Sequence, residues 1–265
     1  MSRNLLLALV LLGSLVAGLA WFSCSRQHAE VAATLEEMLA AADDLKARDR
    51  CAEAILMYEK VLSGFPKPQV AEAAKFSMAT CRMGMEEYDF AATEFRDFID
   101  AYPKSDLVDN AMYLAARCYL KQAPRIERDQ ARTAEALSEL NLLLRKYPDT
   151  DVRKEAEDGM MEARSRLAEK EYLNGQLYYK LGDYKSARIY FDHVVRDYGD
   201  TAWAGEALLA KGLAFERQGM NEDARQIYEQ LLRDVPSGSS GQEAARRLKR
   251  LGGGSDVKTG ANSEE

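Results

Sequence analysis

The sequence predicts an all-α solenoid built from five helix pairs, and three observations carry that prediction. A short pattern recurs five times: a small residue, apolar residues at +4 and +8, and a breaker at +12. The copies are "AILMYEKVLSGFP" from Ala54, "AATEFRDFIDAYP" from Ala91, "ALSELNLLLRKYP" from Ala136, "ARIYFDHVVRDYG" from Ala187 and "ARQIYEQLLRDVP" from Ala224. Residues four apart share one helix face, so each copy is a helix with a stripe that must be covered, stopped by its terminal Pro or Gly. Upstream of the last two copies stand Gly175 with Tyr178 and Gly212 with Phe215, each pair followed by a glycine turn. A small residue there lets two helices approach closely, and the glycine supplies the left-handed residue between them. A composition of 47% hydrophobic and 30% charged residues suits a folded array of such units.

The elements follow in order. Residues 1–23 read as an export signal: Arg3, an apolar run from Leu5 to Ala20, then the small residues Ser23 and Cys24. An apolar run of about 18 residues is also just long enough to stay uncleaved as a membrane anchor. The solenoid is expected over 24–251, with repeats at roughly 30–66, 69–103, 108–148, 152–199 and 201–236. Successive copies start 37, 45, 51 and 37 residues apart, so the middle of the array carries insertions. One is "LKQAPRIERDQARTAE", where Pro124 breaks the first helix of the third pair. The other is the proline-free stretch from Asp151 to Leu181, whose apolar residues at three and four spacing predict a single helix of about 30 residues. After Pro236 a Ser/Gly linker leads to a short basic helix over 240–251, which suits a solenoid cap. Residues 252–265 read as a disordered tail.

Composition narrows the function classes. A formal net charge of −7 provides no basic field for a phosphate backbone, which argues against a nucleic-acid partner. Of the two histidines, His28 is close to the leader and His193 lies on the second helix of repeat four. No HExxH, Gly-x-Ser-x-Gly, Walker loop or dinucleotide fingerprint occurs, and Gly252 to Gly254 follow a helix rather than precede one. No catalytic residue, metal ligand or cofactor is therefore expected. Beyond Cys24 the cysteines are Cys51, Cys81 and Cys118, an odd number without a CxxC. Cys81 and Cys118 fall in helical apolar patterns and read as small buried side chains, with a disulfide between them as the alternative.

The stretches "GQLYYKLGDYKSARIYF" and "GLAFERQGMNEDARQIY" resemble the tetratricopeptide repeat (TPR), agreeing at seven spaced positions. The resemblance implies a right-handed superhelical solenoid of five TPR-like helix pairs whose first helices line a concave groove. Residues three before, one after and four after the small anchor residue would then face that groove. These are Tyr172, Gln176 and Tyr179 around Gly175, Tyr113, Arg117 and Leu120 around Ala116, and Phe76, Thr80 and Met83 in repeat two. An aromatic groove flanked by polar groups suits an extended peptide. The competing reading is that these rings pack against the neighbouring repeat. The final basic helix, with Arg246, Arg247, Lys249 and Arg250, offers a docking face for an acidic partner or a solvated one.

Cys24 behind Ser23 resembles the lipobox of bacterial lipoproteins, with Trp21 where leucine is usual, and Ser25 in place of an inner-membrane retention Asp favours the outer membrane. Several acyl chains on one cysteine anchor stably. Together with the insertion "QAPRIERDQ", the helix "SRLAEKEYLNGQLYY" and "RDYGDT", the chain from about Cys24 to Leu251 resembles the BamD family of outer membrane protein assembly factors. That resemblance implies a non-catalytic periplasmic lipoprotein, lipidated at Cys24, in the β-barrel assembly machine. Its C-terminal repeats would bind the membrane-proximal POTRA domain of a BamA-like barrel subunit, with Arg196, Arg246, Arg247 and Arg250 as docking candidates. Its N-terminal repeats would engage the targeting signals of unfolded outer-membrane proteins, and other assembly lipoproteins are further partners. Arg196, Asp197, Tyr198, Asp200 and Thr201 match the end of the family's fourth repeat, with Gly199 in place of its proline. A CpoB-like lipoprotein of envelope coordination is the alternative, since "YPKSDLVDNAMYLAARCYLKQ" also fits that family, although its N-terminal coiled-coil heptads are missing.

Overall fold

The computed structural model describes residues 34–64, 68–235 and 238–252. The export signal, Cys24, the helix stops Pro66 and Pro236, and the tail from 253 onward lie outside the described residues. Within them are eleven helices and no strand: α1 (34–47), α2 (Cys51–Gly64), α3 (Pro68–Gly84), α4 (Tyr88–Ala101), α5 (Val108–Gln122), α6 (Ala131–Lys146), α7 (Arg153–Lys180), α8 (Tyr184–Asp197), α9 (Trp203–Arg217), α10 (Asn221–Asp234) and α11 (Ser239–Gly252). Among the described helices α2 packs on α3 and α3 on α4 in one run, and α6 on α7, α7 on α8, α8 on α9, α9 on α10 and α10 on α11 in another, with α9 also touching α7 and α11, so the chain is a TPR-like helical array. It divides into two compact units, one ending at Ala111 and the other starting at Met112, with α5 running through the division. None of the described helices is long and apolar enough to cross a membrane.

The recurring stripe is where the core sits, with one shift from expectation. Its first two positions are fully covered in all five copies: Ala54 and Tyr58, Ala91 and Phe95, Ala136 and Leu140, Ala187 and Phe191, Ala224 and Tyr228. The third buried position is +7 rather than +8, occupied by Val61, Phe98, Leu143, Val194 and Leu231, while Leu62, Ile99, Leu144, Val195 and Leu232 at +8 are only half-buried. At 3.6 residues per turn, +7 falls about 20° to one side of the first residue and +4 about 40° to the other, whereas +8 lies about 80° away. The stripe therefore centres on 0, +4 and +7.

The turns divide by chemistry. Gly182 and Gly219 take φ of 81° and 73° between the helices of the last two pairs, as the sequence requires. The first two pairs make the same turn without glycine, at Asp49 (φ 60°) and Glu86 (φ 61°), and Gly84 stays inside α3. Asp183 caps α8 by accepting from the Ser186 backbone N–H at 3.1 Å.

Both insertions are absorbed locally. α7 is one uninterrupted helix of 28 residues, twice the length of α8. The loop after Pro124 is laid along it: the Arg166 guanidinium donates to the Pro124 carbonyl at 2.6 Å, and the Lys170 ammonium to the Glu127 carbonyl at 2.7 Å. Gln130 closes the loop from the other side, donating to the Arg125 carbonyl and accepting from the Thr133 hydroxyl. Extra chain that satisfies its carbonyls on a neighbouring helix leaves the helix pairing intact.

Candidate functional site

Three of the groove candidates meet at one place. Tyr172, Gln176 and Tyr179 project from one side of α7 and, with Phe191, Leu209 and Leu213, line a cavity of about 90 Å³ that Glu206 also borders. The Gln176 amide donates to the Tyr172 hydroxyl at 2.6 Å, and Arg217 reaches the Tyr179 hydroxyl at 3.4 Å. The Tyr172 ring lies 5.7 Å from Phe191 and 5.1 Å from Trp203, and burial holds its phenol above the ordinary tyrosine range. These side chains both pack on the neighbouring repeat and wall the cavity. Such a notch takes a small apolar group and offers a phenol, an amide and a carboxylate beside it, which matches the chemistry of an extended peptide segment. Leu209 and Leu213 were legible by the same rule, since they stand three before and one after Gly212.

The other groove candidates have different surroundings. Phe76 packs edge-on against Phe95 and Phe98 at 5.7 and 5.6 Å, inside the first unit's helix layer. The Thr80 hydroxyl donates to the Phe76 carbonyl. Near them Leu62, Lys75, Met78, Glu94, Asp97 and Phe98 line a cavity of about 170 Å³, larger than the one on α7 and signalled by no spacing rule. Glu94 spends one carboxylate oxygen on Arg82 and buries the other without a hydrogen-bond partner. In the second unit Arg117 pairs with Glu162 at 3.0 Å, and burial raises the Tyr113 phenol. Leu120, expected to face the groove, is instead 6% exposed and packs beside Gly159, because α7 lies across that face of α5.

The C-terminal helix is fastened by charge. Glu216, at the end of α9, accepts from the Tyr228 hydroxyl at 2.6 Å and pairs with Arg247 at 3.3 Å and Arg250 at 2.5 Å. Glu243 holds Arg247 from its other side at 2.7 Å and pairs with the mostly exposed Arg246 at 2.9 Å. Of the basic docking candidates on α11, Arg247 and Arg250 thus serve the internal clamp, Arg250 with 60% of its side chain still open, while Arg246 pairs only within its own helix.

A model of the family described as "YfiO: Outer membrane lipoprotein" matches residues 32–231, through nearly all of the described helices. The chain belongs to the YfiO outer membrane lipoprotein family. Curated relatives agree: "Outer membrane protein assembly factor BamD" of Caulobacter vibrioides is 32% identical over 139 residues, which is 52% of this chain and 46% of that one. The factor of the same name from Rickettsia prowazekii is 23% identical over 72% of this chain and 76% of its own length. The chain thus spans about half of the first relative and three quarters of the second. Among solved structures, the TPR2AB domain of yeast Sti1 in its pHSP90 complex aligns over 84% of both chains at 13% identity and a TM-score of 0.45.

In this YfiO-family chain the motif "RDYGDT" forms the corner between α8 and α9. Arg164 on α7 reaches across to it, pairing through two nitrogens with the Asp200 carboxylate at 2.5 and 2.8 Å and donating to the Asp197 carbonyl at 2.8 Å. Its guanidinium also lies over the Tyr198 ring at 5.5 Å. A Cβ on Gly199 would come within 2.8 Å of the Val195 carbonyl oxygen, so this corner takes a side chain there only by shifting. Arg196 is exposed, 67% of its side chain being open, and pairs only with its neighbour Asp197.

The corner yields a pH-dependent prediction. Arg164 holds the Asp200 carboxyl below its ordinary range near 4, so the pair stabilises the fold above that range and its contribution is lost as pH falls through the lowered value. Arg164→Ala should cost about 0.5–1.5 kcal/mol at pH 7, a modest figure because Asp200 is half open to solvent. Urea unfolding at pH 7 and pH 3 should show the gap between variant and parent narrowing at the acid end.

Proposed function

We propose that the protein is a non-catalytic scaffold in outer membrane protein assembly, tethered by lipid on Cys24 to the periplasmic face of the outer membrane. The observation that carries this reading is the family match across residues 32–231, joined to relatives that bear the name of a BamD assembly factor. The helical array supports it. Its packed helix pairs carry notches suited to peptide side chains.

In this reading the C-terminal repeats hold a POTRA-containing, BamA-like barrel subunit, with Arg196 and Arg246 as the basic groups free of the internal clamp. Unfolded outer-membrane proteins are received by the N-terminal repeats, while Tyr172, Gln176 and Tyr179 form a second contact for extended chain. The lipid tether keeps these partners at high local concentration.

Affinity purification from detergent-solubilised membranes should recover a barrel protein with POTRA domains, and palmitate labelling should vanish in Cys24→Ala. Recovery of Tol-Pal components instead of a barrel protein would refute the assembly role, and labelling that survives the substitution would refute the anchor.

A further inference from the structure

Cys51 is the first residue of α2 and Cys81 lies one turn from the end of α3. The helices pack side by side, and both cysteines are buried, 8% and 1% exposed, in one cluster with Ala54, Ala74 and Tyr58. A Cβ placed on Gly84, one turn beyond Cys81, would sit 3.5 Å from the Cys51 sulfur, so that thiol lies against the end of α3 that carries Cys81. Burial, and after it the neighbouring Cys51 thiol, push the Cys81 thiol up to about 12. Further along the same interface Tyr58 of α2 packs in the cluster with Ala74 and Met78 of α3, the register that antiparallel packing requires. All three are free thiols in this structure, and Cys118, also buried, belongs to the second unit.

We propose that Cys51 and Cys81 are joined by a disulfide in the native protein, which staples α2 to α3 and leaves Cys118 as the unpaired thiol. The proposal rests on the periplasmic placement above, because that compartment supplies the oxidant, a protein disulfide of the thiol–disulfide oxidoreductase class. In the first step the thiolate of one cysteine attacks the oxidant's disulfide and forms a mixed disulfide, releasing one oxidant thiolate. The second cysteine, as its thiolate, then displaces the other oxidant sulfur. Two cysteine thiols lose two protons and two electrons, one S–S bond forms, and the oxidant leaves as a dithiol. Closure belongs to folding, before Tyr58 and its neighbours seal the cluster; afterwards the same burial shields the bond from reductants.

The test is thiol counting on the full chain. Protein extracted from envelopes is denatured in an alkylating reagent without reductant, digested and analysed by mass spectrometry. A second sample is reduced, then refolded with oxidised glutathione. The expected result in both is a linked Cys51–Cys81 peptide pair with Cys118 alkylated, and the link should disappear in Cys51→Ser and in Cys81→Ser but persist in Cys118→Ser. Parent protein reduced in denaturant and refolded under reductant should melt roughly 5–10 °C below the oxidised protein. A link in the refolded sample alone would support the pairing and overturn the periplasmic placement. Alkylation of both thiols in both samples, or a link from Cys81 to Cys118, would overturn the proposal.

Discussion

Gly175→Ala should destabilise the protein by about 1–3 kcal/mol, although alanine is ordinarily the better helix residue by about 1 kcal/mol. The added Cβ would fall 2.5 Å from one carbon of the Phe191 ring and 2.8 Å from another. The ring is closely held, because Phe191 is fully buried among Ala168, Ala187 and Val194, with Tyr172 against it beside the notch. Close packing turns a single methyl group into displacement of the helix pair. Phe191→Leu alone should cost about 1–2 kcal/mol through lost contact and cavity. The double variant should then lie closer to Phe191→Leu than the sum of the two, with a coupling of about 1 kcal/mol, because the smaller side chain makes room for the methyl. Denaturant unfolding of the four proteins measures this cycle, and strict additivity would mean that the methyl finds space elsewhere. A Cβ on Gly212 would meet the Tyr228 ring in the same way, so the fifth pair should respond alike.

That contact was legible in the sequence because it is periodic. A small residue on one helix facing an aromatic at a fixed place on the next can be read from spacing alone, and so can α7, whose length follows from a proline-free run. The choice between +7 and +8 was harder to read, since both positions are apolar in every copy and only the burial geometry separates them. Turns at Asp49 and Glu86 carry no glycine to announce them; the helices on either side impose the left-handed residue there. Least legible were the charged constraints. Arg164 and Asp200 are 36 residues apart, and Glu216 is over 30 from Arg247 and Arg250. A spacing rule confined to one helix cannot see such pairs. For the same reason the basic run on α11 invited a docking role for residues that the fold itself uses. The notch on α7 was half legible: its tyrosines followed from the repeat register, while Glu206 came into view only with α9 in place.

Glu216→Ala should be the most damaging single change at the C-terminal end, costing about 2–4 kcal/mol. Tyr228 is fully buried, and its hydroxyl would lose its acceptor, which alone costs about 1–3 kcal/mol. Arg247 would keep Glu243 but lose its second carboxylate, while Arg250, 60% exposed, should contribute little. Glu216→Gln isolates the terms: an amide oxygen still accepts from Tyr228, so most of the loss should be recovered, and what remains measures the two arginines. Local opening is the second readout. If the carboxylate is what seats α11, amide exchange in residues 239–252 should quicken in Glu216→Ala far more than in α8, whose contacts are untouched. Uniform acceleration through both helices would show instead that Glu216 stabilises the array as a whole. Local release would also link the clamp to binding, since removing the Glu216 carboxylate leaves Arg250 unpaired and Arg247 with Glu243 alone, which makes the surface that Arg246 presents more positive. An acidic partner at this end should then bind the variant more tightly at low salt, and a partner that needs α11 seated should bind it less.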